Sequence, residues 1–194
     1  MQHTVKERKK RSQNIMPIKI KLCVLGDPSV GKTSLIRHYC EGFFKEDYLS
    51  TIGVDFNRKT MDIDINGETN QVMMTIWDIG GQTLWAAVRR NYLNGAQGIL
   101  LLFDLTNRSS LSHIRDWFMD VTNVLGDQVP ISIIGNKSDL EFNPNVNTIA
   151  KDLCSTLRAD LRCYTASAKV GTNMDQVFED MALEILTKIK EESE

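Results

Sequence analysis

From Ile18 the chain alternates in polarity. Ile18, Ile20, Leu22 and Val24 are apolar, Lys19 and Lys21 between them are charged, and a glycine follows at Gly26. That period of two predicts a strand running into a tight loop. Lys32–Glu41 predicts a first helix, followed by a polar loop through Thr51. Phe56–Ile65 and Thr69–Trp77 flank Asn66-Gly67, the dipeptide of a type I′ hairpin, whose two central residues both take positive φ. Gly98–Asp104 and Ile131–Asn136 are short apolar runs that read as buried parallel strands. Between them Leu111, Ile114, Phe118, Val121 and Leu125 recur at helical spacing, predicting an amphipathic helix over Ser109–Leu125. Leu161–Ala168 is a last strand. Asn173 with Gln176 three residues on has the form of a capping box and opens a closing helix, with Val177, Met181, Ile185 and Ile189 on its inner face. Strands alternating with helices predict an α/β domain around a mostly parallel sheet with one antiparallel hairpin strand. Without internal repeats or a linker, one domain is expected over residues 18–190, between a basic arm at 1–17 and an acidic tail at 191–194.

Composition changes this picture little. A chain of 194 residues suits one sizeable core. A net charge of −2 argues against non-specific nucleic-acid binding, which needs a strong basic excess. Cys23, Cys40, Cys154 and Cys163 lie far apart without a CxxC pair, and are expected to be reduced thiols in a cytoplasmic setting. No run of about 18 apolar residues predicts a membrane span, and the polar first 15 residues do not form a secretory signal. The cluster Lys6, Arg8, Lys9, Lys10 and Arg11 reads as a solvated, disordered arm, the alternative being a weak peripheral contact with anionic lipid. Gln2 and the terminal Glu-Glu-Ser-Glu carry no lipidation signal.

Chemistry enters at Gly26-Asp27-Pro28-Ser29-Val30-Gly31-Lys32-Thr33, which fits G-x-x-x-x-G-K-[ST]. It stands where such a phosphate loop must stand, after a strand and opening a helix. Glycines at both ends let successive backbone N–H groups close around phosphate oxygens, and the helix N-terminus adds positive partial charge. Lys32 is expected to reach the β- and γ-phosphates, and Thr33 to offer its hydroxyl to Mg²⁺. The bland alternative is a chance glycine turn with a solvent-facing lysine.

The base is read elsewhere. Asn136-Lys137-Ser138-Asp139 ends a buried strand, and a carboxylate at Asp139 can accept both N1–H and the exocyclic amine of guanine, an arrangement adenine lacks. The stem of Lys137 can cover one purine face, with Phe44 a candidate for the other. Ser167-Ala168-Lys169 supplies a second loop, where the Ala168 N–H is placed to meet guanine O6. Trp77-Asp78-Ile79-Gly80-Gly81-Gln82 follows the hairpin strand. Asp78 is expected to hold Mg²⁺ through water, Gly81 to touch the γ-phosphate through its N–H, and Gln82 to orient the attacking water. Thr51 would complete the Mg²⁺ shell only when the γ-phosphate is present, making these two segments the moving parts.

With these motifs in order, the sequence resembles the Ras-like small GTPases, most of all the Rab branch, over roughly Lys19 to Ile189. Gly26–Ser34, Ser50-Thr51-Ile52-Gly53-Val54-Asp55-Phe56, Gly135–Leu140 and Ser167–Lys169 match its motifs almost residue for residue. The resemblance implies a P-loop NTPase fold with a six-stranded sheet and five helices. It implies a monomeric GTP hydrolase that slowly converts GTP to GDP in membrane traffic or a related signalling pathway. It also implies that effectors, exchange factors and activating proteins read switch I, Tyr48–Phe56, and switch II, Gly80–Tyr92. Phe56, Trp77 and Tyr92 fall where Rabs present an aromatic triad; ordinary packing is the alternative for Trp77. Gly80-Gly81-Gln82-Thr83 replaces the usual Ala-Gly-Gln-Glu and is similar to Arf and septation-type GTPases, while Pro28 stands where the family has a small residue. A rival from another class, a nucleotide-locked interaction module that scarcely hydrolyses, is left room by Pro28 and the altered switch II. A P-loop kinase or ATPase is disfavoured by Asn136–Asp139.

Overall fold

A computed structural model describes residues 16–44, 51, 53–81 and 86–193, with 86–89 as backbone only. The expected basic arm, Tyr48 and Gln82 lie outside the described residues. Among these residues the chain runs β1 (Ile18–Gly26), α1 (Lys32–Glu41), β2 (Val54–Ile65), β3 (Glu68–Ile79), α2 (Ala86–Leu93), β4 (Gly98–Asp104), α3 (Arg108–Ser112), α4 (Ile114–Leu125), β5 (Ile131–Asn136), α5 (Asn145–Leu157), β6 (Arg162–Thr165) and α6 (Met174–Glu191). The six strands form one sheet in the order β2-β3-β1-β4-β5-β6. Only the β2–β3 pair is antiparallel, joined at Asn66 (φ 54°) and Gly67 (φ 83°), both left-handed as a type I′ turn demands.

The alternation in β1 divides the core. Ile20, Leu22 and Val24 face a cluster with Met74, Ile76, Leu35, Ile36 and Phe178, drawn from β3, α1 and α6. Cys23 and Leu25 face the opposite cluster, with Leu101, Phe103, Phe118, Val121 and Ala150. Helices on both faces explain why β4 and β5 are buried at every position and therefore read as continuous apolar runs. On the first face, Tyr39 of α1 stacks on Phe178 of α6 with ring centroids 3.8 Å apart and planes 7° from parallel.

Three expectations about elements are corrected, and one element was not expected. The single helix over Ser109–Leu125 is divided at His113, whose N–H donates to the carbonyls of both Leu111 and Ser109, so that α3 closes before α4 begins. Counted as one kinked helix, α3–α4 brings the total to the expected five. The last strand stops at Thr165, because Ala166, Ser167 and the residues after them turn into a loop. Asn173 makes no capping box: it lies in the left-handed region (φ 57°) with no side-chain cap bond, and its Nδ2 donates to Thr165 O at 2.7 Å. Helix α5 was not read from the residues, although Val146, Ala150 and Cys154, the residues it buries, recur every four positions. Its start follows Asn143-Pro144, which resembles a loop.

The Tyr39–Phe178 stack generates a stability prediction. Phe178→Ala should cost about 3–5 kcal/mol, read as a lower urea midpoint with an unchanged helical circular-dichroism spectrum. A loss below about 1 kcal/mol would mean that this face repacks freely.

Candidate functional site

The predicted residues collect at the C-terminal ends of the parallel strands. Gly26 ends β1, Asp78 lies near the end of β3, Asn136 ends β5, and Ser167 follows β6. The phosphate loop needs its glycines. Gly26 has φ 139°, and a Cβ there would sit 2.2 Å from the Leu102 carbonyl of β4; a Cβ on Gly31 would sit 2.3 Å from Asn136 Nδ2. Ser29 also takes a positive φ, 65°, so left-handed residues alternate along the loop in the manner of an anion-binding nest. Helix α1 opens with no side-chain cap bond and no acidic residue in its first turn, where Ser34 is half-buried. Its N-terminal partial charge is thus left for an anion. Lys32 is buried, and its Nζ donates to Gly26 O at 2.9 Å and Asp27 O at 2.8 Å.

Beside the loop stand three oxygen-bearing side chains. Thr33 Oγ1 donates to Asp78 Oδ2 and lies 2.7 Å from Thr51 Oγ1, which itself reaches Asp78 Oδ2 at 3.5 Å. Asp78 Oδ1 is buried with no hydrogen-bond partner. Burial pushes the Asp78 carboxyl above the ordinary carboxylate range, while the Thr33 hydrogen bond and the Lys32 charge oppose that shift. A buried carboxylate oxygen without a donor, next to two hydroxyls, is an all-oxygen set that fits a hard divalent cation such as Mg²⁺. The segments on either side of the trio touch: Gly80 N–H donates to Gly53 O at 3.0 Å. Gly81 lies so close to the phosphate loop that a Cβ there would fall 2.4 Å from Gly26 O and 2.7 Å from Pro28 N.

On the opposite side Asn136 is a strut. Its Nδ2 donates to Val30 O at 2.8 Å, and its Oδ1 accepts the Ala168 N–H at 3.0 Å. The Ala168 N–H, expected to face guanine O6, is thus used to hold the two loops together. Ser167 Oγ donates to Asp139 Oδ1 at 2.5 Å and accepts the N–H groups of Lys169 and Val170, both at 3.2 Å. It thereby orients the exposed Asp139 carboxylate. Lys137 takes a left-handed conformation (φ 68°) and reaches back to Asp104 Oδ2 at 2.6 Å. Phe44 is half-buried beyond the end of α1.

Sequence reading missed two groups. Asp104 anchors Lys137 and also accepts from Thr106 N and Oγ1; its signal was an acidic residue ending a buried strand. Asp27 was read as loop backbone alone, yet its carboxylate meets His113 Nδ1 at 2.7 Å and Trp117 Nε1 at 2.9 Å. Nothing in the local sequence marks that contact.

The Ras family model matches residues 21–187, the region that carries all of this machinery. The chain belongs to the Ras family. It is a small GTPase, a GTP hydrolase, and within the Ras family it is of the Rab type. It is 34% identical over 170 residues to Ras-related protein Rab-13 of Canis lupus familiaris, covering 87% of this chain and 80% of that one. It is 31% identical to Ras-related protein RAB1BV of Beta vulgaris, covering 88% and 77%. To GTP-binding protein yptV2 of Volvox carteri it is 32% identical, covering 89% and 78%. No described helix of this Ras-family chain is long and apolar enough to cross a membrane.

The orphaned Asp78 oxygen can be tested by stability. In EDTA, Asp78→Asn should raise unfolding free energy by about 1–2 kcal/mol, because a neutral amide escapes the burial penalty on the carboxylate. The same change should abolish the gain in melting temperature that Mg²⁺ gives the parent. A variant that melts lower in EDTA and keeps its Mg²⁺ response would remove Asp78 from the cation site.

Proposed function

We propose that this GTPase is a Mg²⁺-dependent molecular switch that binds GTP, hydrolyses it slowly to GDP and phosphate, and is read in its GTP form by effector proteins. One observation supports the reading best: Thr51, from the segment after α1, and Asp78, at the end of β3, converge on the Thr33 hydroxyl. Two segments distant in sequence thus depend on one small polar centre. An arrangement of this kind holds together while a γ-phosphate and a cation bind, and relaxes when they leave.

In this reading Lys32 and the loop N–H groups bind the β- and γ-phosphates, and Thr33, Thr51 and Asp78 would hold Mg²⁺, with Asp78 acting through water. The cation, when bound, neutralises charge on the β- and γ-phosphate oxygens. The Gly81 N–H hydrogen-bonds the γ-phosphate, and Gln82, next in the chain, orients the attacking water. Asn136, Lys137, Asp139 and the Ser167–Lys169 loop select guanine, Asp139 through a carboxylate already held by Ser167. Partners would read Tyr48–Phe56 and Gly80–Tyr92. Phe56 is 54% exposed and stands edge-on to Trp77 at 4.5 Å, and Trp77 tilts toward Tyr92 at 6.3 Å. This arrangement suits an apolar contact for an effector or regulator.

The nucleotide-locked module keeps one specific argument. Pro28 lacks an N–H and adjoins the contact where Gly81 rests on the loop, so hydrolysis rather than binding is the function it would impair.

Asp139→Ala should erase most discrimination between GTP and ATP, a loss of several kcal/mol, since a site built on paired hydrogen bonds owes its selectivity to them. Equal tight binding of both nucleotides by the parent would refute guanine selection. Gln82→Leu should keep GTP affinity while slowing single-turnover hydrolysis below the parent rate, which is expected on the order of 10⁻⁴–10⁻² s⁻¹. A parent that binds GTP tightly and shows no turnover above solvent background would select the locked module.

A further inference from the structure

A carboxylate in the phosphate loop is an awkward neighbour for a polyphosphate. Asp27 is the second residue of that loop, and its own carbonyl helps hold Lys32 Nζ, at 2.8 Å. Its side chain, 21% exposed, is occupied from the α3–α4 kink: Oδ2 meets His113 Nδ1 at 2.7 Å and Oδ1 accepts from Trp117 Nε1 at 2.9 Å. Trp117 is buried, with 7% exposure, and its backbone N–H donates to His113 O at 3.1 Å, so the two donors form one rigid unit. Four positions apart, they share one face of the first turn of α4. Gly81 packs on the backbone of Asp27 and Pro28 from another side, so the position of Asp27 also sets the surface on which switch II rests.

We propose that His113 and Trp117 are positioning residues for the phosphate loop, and that the charge on His113 compensates Asp27 and so sets how firmly the nucleotide is retained. The proposal rests on guanine-nucleotide binding at this loop.

Trp117 supplies geometry alone, since an indole N–H does not titrate. His113 supplies geometry and charge. A neutral imidazole protonated on Nδ1 still donates to Asp27, so deprotonation removes the positive charge while the hydrogen bond remains. The charged groups acting on His113 are Asp27, from the loop, and Asp116, in the first turn of α4. The hydrogen bond and charge of Asp27, with a smaller contribution from Asp116, hold the half-exposed imidazole above the ordinary histidine range. The sign follows. At low pH His113 is charged, Asp27 is neutralised, and the polyphosphate is held longest. As pH rises through the His113 pKa, the Asp27 charge is left facing the polyphosphate and release accelerates.

Release of a fluorescent GDP analogue from the full chain in Mg²⁺, followed from pH 6 to 8.5, tests this. The parent should release about two- to fivefold faster at the alkaline end, the scale of one partly exposed ion pair. His113→Asn keeps a donor without the titrating charge, so its profile should be flat and stay at the fast limit. Asp27→Asn, which removes the carboxylate, should stay at or below the parent's slow limit at every pH. Trp117→Phe should release faster at every pH while keeping the slope, and the His113 imidazole signal in NMR should titrate at the midpoint of the parent profile. His38, whose Nδ1 meets Ala168 O at 2.6 Å, is another described histidine beside the site, and His38→Gln should retain the parent profile. Superposed profiles for the parent and His113→Asn would overturn the proposal, as would loss of the slope in His38→Gln alone. Absence of saturable binding in the parent would instead overturn the nucleotide reading itself, and the proposal with it.

Discussion

The buried Lys32 ammonium, bonded to the carbonyl oxygens of Gly26 and Asp27, is the interaction on which the rest of the site depends. A cation taken out of water needs compensation, and two carbonyl dipoles supply only part of it. The loop must curl tightly enough for both carbonyls to face back toward α1, which requires the left-handed conformations at Ser29 and Gly31. Lysine and loop therefore organise each other.

Close approach is the second constraint. Gly26 sits against Leu102 O, Gly31 against Asn136, and Gly81 against the backbone of Gly26–Pro28, each at a distance that excludes a Cβ. These contacts bind the Gly26–Thr33 loop to β4, to the end of β5 and to the segment after β3. Asn136 performs the same service with hydrogen bonds, joining Val30 O to Ala168 N. A displacement of one loop is thus felt by the others, because packed backbone has no slack to absorb it. Asp27 extends the linkage outward to the α3–α4 kink, which makes that kink part of the site.

Beneath the loops, the sheet does one thing for function: it ends β1, β3, β4 and β5 on the same side. Parallel strands covered by helices on both faces leave their C-terminal ends as the place where polar groups can gather without disrupting the core. Asp78 and Asp104 are buried acids at two of those ends. Asp104 is neutralised by Lys137, whereas Asp78 Oδ1 has no donor. That difference separates an acid braced from within from one whose buried oxygen has no donor.

Elements whose polarity pattern answers to local burial were legible in the sequence. Helix α1 and strands β4 and β5 took their expected bounds, and the Asn66-Gly67 hairpin formed because only those residue types accept its backbone. The tight turn over Gly26–Thr33, the strand end at Asn136 and the place of Asp78 near the end of β3 were legible for a related reason, since each depends on spacing within a few residues. Contacts between distant segments were not legible. The Asp104–Lys137 pair and the clamp of His113 and Trp117 on Asp27 join residues up to 90 positions apart. A local pattern records which face of an element is apolar, but it does not record which polar side chain of another element will meet it. The sequence by itself determined most of the elements, because their apolar patterns are local; the tertiary structure decided which polar groups of distant segments meet, because that depends on how the elements pack.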